Sequence, residues 1–231
     1  MPPLHPRCRC AIIYRETSNG NVSGAIKPLT SARCNEIRSA QEAAYNAETG
    51  ADFGFKKMRG SPDWSKEIRL ANAGKGLEYM LNCQRCVVAH EARMRGYDVI
   101  ARPSWGKDDP LQKVGNWLEV FAKDGREIYN CAGNNAAELE KFIETKMKEW
   151  GKGSRAFVWF DWKESAVSLG RGHVIVTRLN ENGYVQFGDP QTGEIGAVRC
   201  LKAAKPGSVL IMRADNLKFT NEIKCCCMNR R

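Results

Sequence analysis

The apolar runs His173–Leu179 and Gly183–Phe187 meet at Asn182-Gly183. That dipeptide closes two-residue hairpins because both positions accept positive φ. Strands joined in this way pair antiparallel, so this part of the chain is committed to a hairpin. Two further runs with strand character, Ala156–Trp162 and Ser208–Arg213, stand on either side of it. Ahead of them the pattern turns helical. Asn82–Arg95 has helical character and stops at Gly96, a C-terminal cap. Leu139, Phe142, Ile143, Met147 and Trp150 recur at helical spacing behind Asn134 or Asn135 and before Gly151. Strands are also expected at Tyr97–Ala101 and at Trp117–Phe121, the latter before the turn Lys123-Asp124-Gly125. One helix, then a mostly antiparallel sheet with one further helix, predicts an α+β domain.

The chain has 231 residues, 42% hydrophobic and 27% charged, which suits one domain with attachments or two small domains and excludes a wholly disordered protein. No apolar run approaches the roughly 20 residues that a membrane-spanning helix needs, and MPPLHPRCRC lacks the apolar region of a secretory signal. No membrane partner is expected. Most of the net charge of +10 lies before residue 73 and after residue 215. A specific nucleic-acid reader concentrates basic charge on its folded module, so none is expected here. The ten cysteines are unevenly spaced, and without an export signal they are expected as reduced thiols. The expected parsing is a proline-punctuated segment 1–16 with a strand at Cys10–Tyr14, a linker and polar helical segment 17–72 with a helix over Ser31–Glu48, a folded domain 73–215, and an exposed basic Cys-rich tail 216–231.

Three points in the folded part carry chemistry. Cys83 and Cys86, in Asn82-Cys83-Gln84-Arg85-Cys86, stand at the start of a helix. A cysteine there meets unpaired backbone N–H groups and the positive end of the helix dipole, both of which favour a sulfur anion. His173 opens a hydrophobic strand behind Gly170 and Gly172, which leaves the approach to its ring open. Asp189 follows sixteen residues later, past the hairpin turn, where the ends of the two strands meet. It is therefore expected beside His173, where a carboxylate orients an imidazole and stabilises its cation.

Asn82-Cys83-x-x-Cys86-Val-Val-Ala-x-Glu, Arg95-Gly96-Tyr97-Asp98-Val99, Gly172-His173 and Asp189-Pro190-Gln191-Thr192-Gly193 together resemble the papain-like fold toxin (Tox-PL) domains of polymorphic toxins and phage-borne proteins. The resemblance spans about residues 73–215. It implies a papain-like cysteine hydrolase fold, its nucleophile helix packed on the sheet, acting on protein amides as a peptidase or a protein-glutamine deamidase. By the family's pattern Cys83 or Cys86 is the nucleophile, His173 the base and Asp189 the orienting acid. Peptidases that process bacteriocin leaders have a similar helix start, with a glycine thirteen residues after the nucleophile, as Gly96 follows Cys83. The helix-start argument favours Cys83. Those relatives also carry an oxyanion-donating glutamine where this chain has Leu77, so the backbone N–H of the nucleophile and the side chains of Asn82 and Gln84 are the candidate donors, with Gln191 in the surrounding shell. Separately, His5-Pro6-Arg7-Cys8-Arg9-Cys10 resembles the final motif of Mu-type phage minor head proteins.

The resemblances imply a target protein as substrate, phage head proteins and an immunity protein as further partners, and a place in a virion or in the bacterial host cytoplasm. No cofactor and no metal are expected. Two other readings stay open. Cys83, Cys86 and His90 at i, i+3 and i+7 form a partial zinc set, with Cys131 or Cys200 as a fourth ligand, and His5, Cys8 and Cys10 form another. The fold is also compatible with an inactive virion-associated structural protein. The tryptophans Trp117, Trp150, Trp159 and Trp162 read as core or strand-face residues.

Overall fold

A computed structural model describes residues 53–74, 76–104, 117–163 and 172–230. The expected strand at Cys10–Tyr14, the expected helix over Ser31–Glu48 and the His5–Cys10 motif lie outside the described residues. The elements are α1 (Trp64–Ala71), α2 (Cys83–Met94), β1 (Val99–Ala101), β2 (Ile128–Asn130), α3 (Ala136–Trp150), β3 (Arg155–Asp161), β4 (Gly172–Leu179), β5 (Val185–Asp189), β6 (Glu194–Ile195), β7 (Leu210–Arg213), α4 (Ile223–Cys226) and β8 (Cys227–Asn229). Six strands form an antiparallel sheet in the order β2-β7-β3-β4-β5-β6, and β1 pairs with β8. This is the expected α+β arrangement, a helix against a mostly antiparallel sheet.

Alternation along β4 divides the core between the two faces of the sheet. Val174 and Val176 join the cluster that holds α2, with Cys86, Val87, Phe157 and Met212. Ile175 joins the cluster beneath α3, with Leu139, Ile143, Met147, Val158 and Phe160. The hairpin turns at the expected dipeptide but through a loop longer than two residues: Leu179 pairs with Val185, the Asn180 N–H bonds the Tyr184 carbonyl at 3.0 Å, and Gly183 takes φ 81°. The Asn135 side chain caps α3 by accepting from the Glu138 N–H at 3.0 Å.

Three expectations change. Trp117–Val120 forms a 3-10 turn instead of a strand, and Phe121 pairs with Phe219 as an isolated bridge outside any strand. A short apolar run suits either conformation when a local turn can bury it. Here the Phe121 N–H bonds back to the Leu118 carbonyl at 3.0 Å.

Before residue 73, Trp64–Ala71 is a helix in place of an unpacked linker. The Asp63 side chain accepts from the Lys66 N–H at 2.8 Å, and Trp64, Glu67, Ile68 and Ala71 bury one face. Buried Arg93 of α2 bonds Glu67 through Nη2 at 2.6 Å and the Val99 carbonyl at 2.7 Å, tying α1, α2 and β1 together.

After residue 215 the chain does not hang free. Ile223, Cys226 and Cys227 are fully buried, and β8 completes a two-stranded sheet with β1. A free cysteine packs as a small apolar residue, and the carbonyls of this segment are bonded by arginines: Arg85 Nε donates to Cys225 O at 3.2 Å and Arg102 Nε to Cys227 O at 3.0 Å. All the cysteines among the described residues are free thiols.

Candidate active site

Helix α2 is fastened by an ion cluster at its far end. The buried Glu91 carboxylate receives Arg155 of β3 through Nε and Nη2, both at 2.8 Å, and Arg95 through Nε at 2.8 Å. Arg95 also donates to the carbonyls of Ala214 and Leu217, each at 2.8 Å. Burial works against the charge on Glu91, but Arg155 and Arg95 outweigh it and hold the carboxyl down at about 2. The helix is thus joined to the sheet and to the C-terminal segment, and its first turn is presented in a fixed place.

Cys83 and Cys86 have different environments in that turn. The Asn82 carbonyl accepts from the N–H groups of Arg85 and Cys86 at 2.9 and 3.0 Å. Cys83, the first helical residue, has a backbone N–H and a thiol with no hydrogen-bond partner among the described residues, and it is 5% exposed. Cys86 is 0% exposed, and its thiol donates to Asn82 Oδ1 at 3.2 Å. Burial, reinforced by the nearby Asp189 charge and opposed by Arg85, raises the Cys86 thiol well above the ordinary cysteine value. It stays a protonated donor.

His173 and Asp189 come together as the hairpin implies. Nε2 of His173 lies 2.9 Å from Oδ2 of Asp189. Asp189 Oδ1 accepts from the Gln191 N–H at 2.9 Å. Burial disfavours the Asp189 carboxylate, yet the hydrogen bond and charge of His173, with the bonds from Gln191 and Thr192, hold its carboxyl below the usual range. An ionised carboxylate only accepts, which puts a proton on Nε2 and leaves Nδ1 as the working nitrogen. Nδ1 has no partner among the described residues.

The approach to the ring is narrower than the two glycines suggest. Trp162 stacks on His173 with centroids 5.4 Å apart and planes at 16°, and Phe160 meets it edge-on at 5.9 Å. Gly172 serves packing, since a Cβ there would sit 2.6 Å from the Phe160 carbonyl oxygen. Gly188, just before Asp189, has the same role, because a Cβ would run into the Ile68 side chain of α1.

The site residues read from the sequence therefore separate. His173 and Asp189 are bonded to each other. Neither thiol is hydrogen-bonded to the imidazole among the described residues, although α2 packs against β4. Asn82 drops out as an oxyanion donor, since Nδ2 gives its hydrogens to Asn72 Oδ1 and the Arg102 carbonyl, each at 3.1 Å. Gln84 is half-buried in the first turn, and Leu77 is 71% exposed. Gln191 acts through its backbone, its carbonyl accepting from Asn72 Nδ2 at 2.9 Å. The partial zinc set does not assemble: among the described residues no group of three or more His, Cys, Asp or Glu could hold a metal ion, and His90 instead meets Trp64 edge-on at 4.6 Å. No helix among the described residues is long and apolar enough to cross a membrane.

Two residues of the site escaped the sequence reading, Asn72 and Trp162. The second had a signal: it lies two positions beyond Phe160, which pairs with His173, and so shares a face with it. An open pocket of about 620 Å³ adjoins the site, walled by Asn72, Leu77, Tyr79, Met80, Gln191 and Thr192.

A thiol at the tip of a helix packed on an antiparallel sheet, with a histidine–aspartate pair on neighbouring strands, supplies the groups that a papain-like cysteine hydrolase uses. Residues 81–194, from just before the thiol helix to the end of the Asp189 turn, match the family model of papain fold toxin 1, glutamine deamidase. Among solved structures, the Salmonella effector SpvD (G161 variant) aligns over 78% of this chain and 92% of its own, at 18% identity and a TM-score of 0.40. A comparison with curated protein sequences finds no significant match.

Proposed function

We propose that the chain deamidates glutamine side chains of a target protein, with Cys83 as nucleophile, His173 as proton carrier and Asp189 as the acid that orients it. The observation that carries the choice of thiol is the unbonded N–H and thiol of Cys83, set against Cys86, whose N–H and thiol are both bonded. The sulfur of Cys83 attacks the amide carbon and its proton passes to Nδ1 of His173. The resulting oxyanion is met by the Cys83 N–H, with the Gln84 side chain as second candidate donor. His173 returns the proton to the nitrogen as the C–N bond breaks, releasing ammonia and leaving a thioester. Water, deprotonated by His173, then attacks the thioester, giving glutamate and restoring the thiol. The resting thiol and imidazole are not hydrogen-bonded, and such bonds commonly tighten only in the substrate complex.

The pocket bounded by Leu77, Tyr79, Met80 and Gln191 is the approach for the target chain. Partnership with phage head proteins rests on His5–Cys10, and an immunity partner on the family resemblance. The test is conversion of glutamine to glutamate in a bacterial lysate, read by mass spectrometry, with peptide cleavage scored in the same data. Cys83→Ala abolishes conversion and Cys86→Ser retains it; equal conversion by wild type and both variants overturns the reading, and cleavage without conversion replaces deamidation by proteolysis.

A further inference from the structure

We propose that Asn72 is a positioning residue of this hydrolase, locking the start of the thiol helix to the His173–Asp189 pair; the inference rests on the roles given above to Cys83, His173 and Asp189. Asn72 closes α1 with non-helical backbone, φ −116° and ψ 72°. Nδ2 donates to the Gln191 carbonyl at 2.9 Å and to the Tyr79 carbonyl at 3.0 Å, while Oδ1 accepts from Asn82 Nδ2 at 3.1 Å.

The polarity of the whole run follows from the carbonyls. Tyr79 O and Gln191 O can only accept, so the amide nitrogen of Asn72 must face them and its oxygen must face Asn82. Asn82 Nδ2 also donates to the Arg102 carbonyl at 3.1 Å, so Asn82 Oδ1 is an acceptor and the Cys86 thiol its donor. In the other direction, the Gln191 N–H binds Asp189 Oδ1, and Asp189 Oδ2 binds His173. Hydrogen bonds thus run unbroken from the first turn of α2 to the imidazole. Asn72 is the one side chain in that run that bridges the helix start and the Asp189 turn, and the same amide holds the Leu77–Tyr79 turn that walls the pocket.

A residue that only contributed stability would not alter how the thiol and imidazole meet. The test is the rate at which iodoacetamide alkylates Cys83 in the full chain between pH 6 and pH 9, followed by peptide mapping, in wild type, Asn72→Ala and Asn72→Asp. Asn72→Asp keeps the size but loses both donors. In wild type, alkylation at pH 6 outpaces that of a free cysteine peptide, because the thiol hands its proton to the imidazole when the two meet. In both variants the pH 6 rate falls about tenfold or more while the pH 9 rate changes less than about twofold, the pattern expected when the thiol no longer reaches its base. Leu139→Ala, in the cluster beneath α3, controls for stability: its melting temperature falls while its pH profile stays that of wild type. Wild-type profiles in both Asn72 variants overturn the positioning role alone. Wild-type Cys83 that alkylates at pH 6 no faster than a free cysteine peptide overturns the hydrolase reading, and the inference with it.

Discussion

His173 of β4 donates a hydrogen bond from Nε2 to Oδ2 of Asp189 at the end of β5, at 2.9 Å. The carboxylate has a second anchor in the Gln191 N–H, so it holds the ring in one tautomer and one orientation. Asp189→Ala lowers turnover about 100-fold or more, because the imidazole loses its orienting partner. Asp189→Asn falls less far, since an amide oxygen still accepts from Nε2 but cannot also serve the Gln191 N–H. Turnover of the two variants measured side by side checks the order; equal losses contradict it.

Cys86→Ser preserves the donor to Asn82 Oδ1 and keeps activity within a few-fold of wild type. Cys86→Val removes the donor and strands a buried acceptor, lowering stability by about 1–3 kcal/mol. Denaturant midpoints and activity at neutral pH separate this structural role from catalysis, and inactive Cys86→Ser at wild-type stability refutes it.

Acid weakens the fold in two steps. His90 is buried with no hydrogen-bond partner at either ring nitrogen among the described residues. Burial, opposed by Glu91 and helped by Arg155, lowers its value from 6.5 to about 3. The unfolded chain takes up a proton below pH 6.5 that the folded chain refuses until about 3, so stability falls by about 1.4 kcal/mol per pH unit in that window. Glu91 has the depressed carboxyl, about 2 against 4.5, so its contribution, present above pH 4.5, is lost as pH falls from there towards 2. Urea midpoints measured from pH 7 to 4.5 fall in wild type and flatten in His90→Leu; an unchanged slope excludes His90 as the cause.

Truncation after Asp215 prevents cooperative folding. It removes β8 from β1, strips buried Phe219, Ile223, Cys226 and Cys227 from the core of the thiol helix, and takes away the carbonyls of Cys225, Leu217 and Cys227 that Arg85, Arg95 and Arg102 bond. Loss of the sharp thermal transition in the shortened chain is the expected reading. A transition within a few degrees of the full chain's shows the segment to be dispensable.

The parts of the fold legible in the sequence are those whose partners lie close along the chain. The Asn182-Gly183 turn sets Asp189 near His173, and the pair Asn134-Asn135 marks the start of α3. The misread parts depend on distant neighbours. Trp64–Ala71 looks like linker until Arg93 supplies a partner for Glu67. Cys225–Cys227 looks like a tail until β1 offers an edge. Leu118–Phe121 satisfies either a strand or a turn, and packing chose the turn.

The amino-acid order alone determined that a cysteine would begin a helix and that a histidine and an aspartate would meet across a hairpin, because caps and tight turns are set by residues within a few positions. Which thiol is bonded away and which stays open, that Trp162 covers the imidazole, and that Asn72 bridges helix and turn were decided only by the folded chain. The amides, carbonyls and rings concerned lie up to 119 residues apart, and no local propensity encodes a contact over that separation.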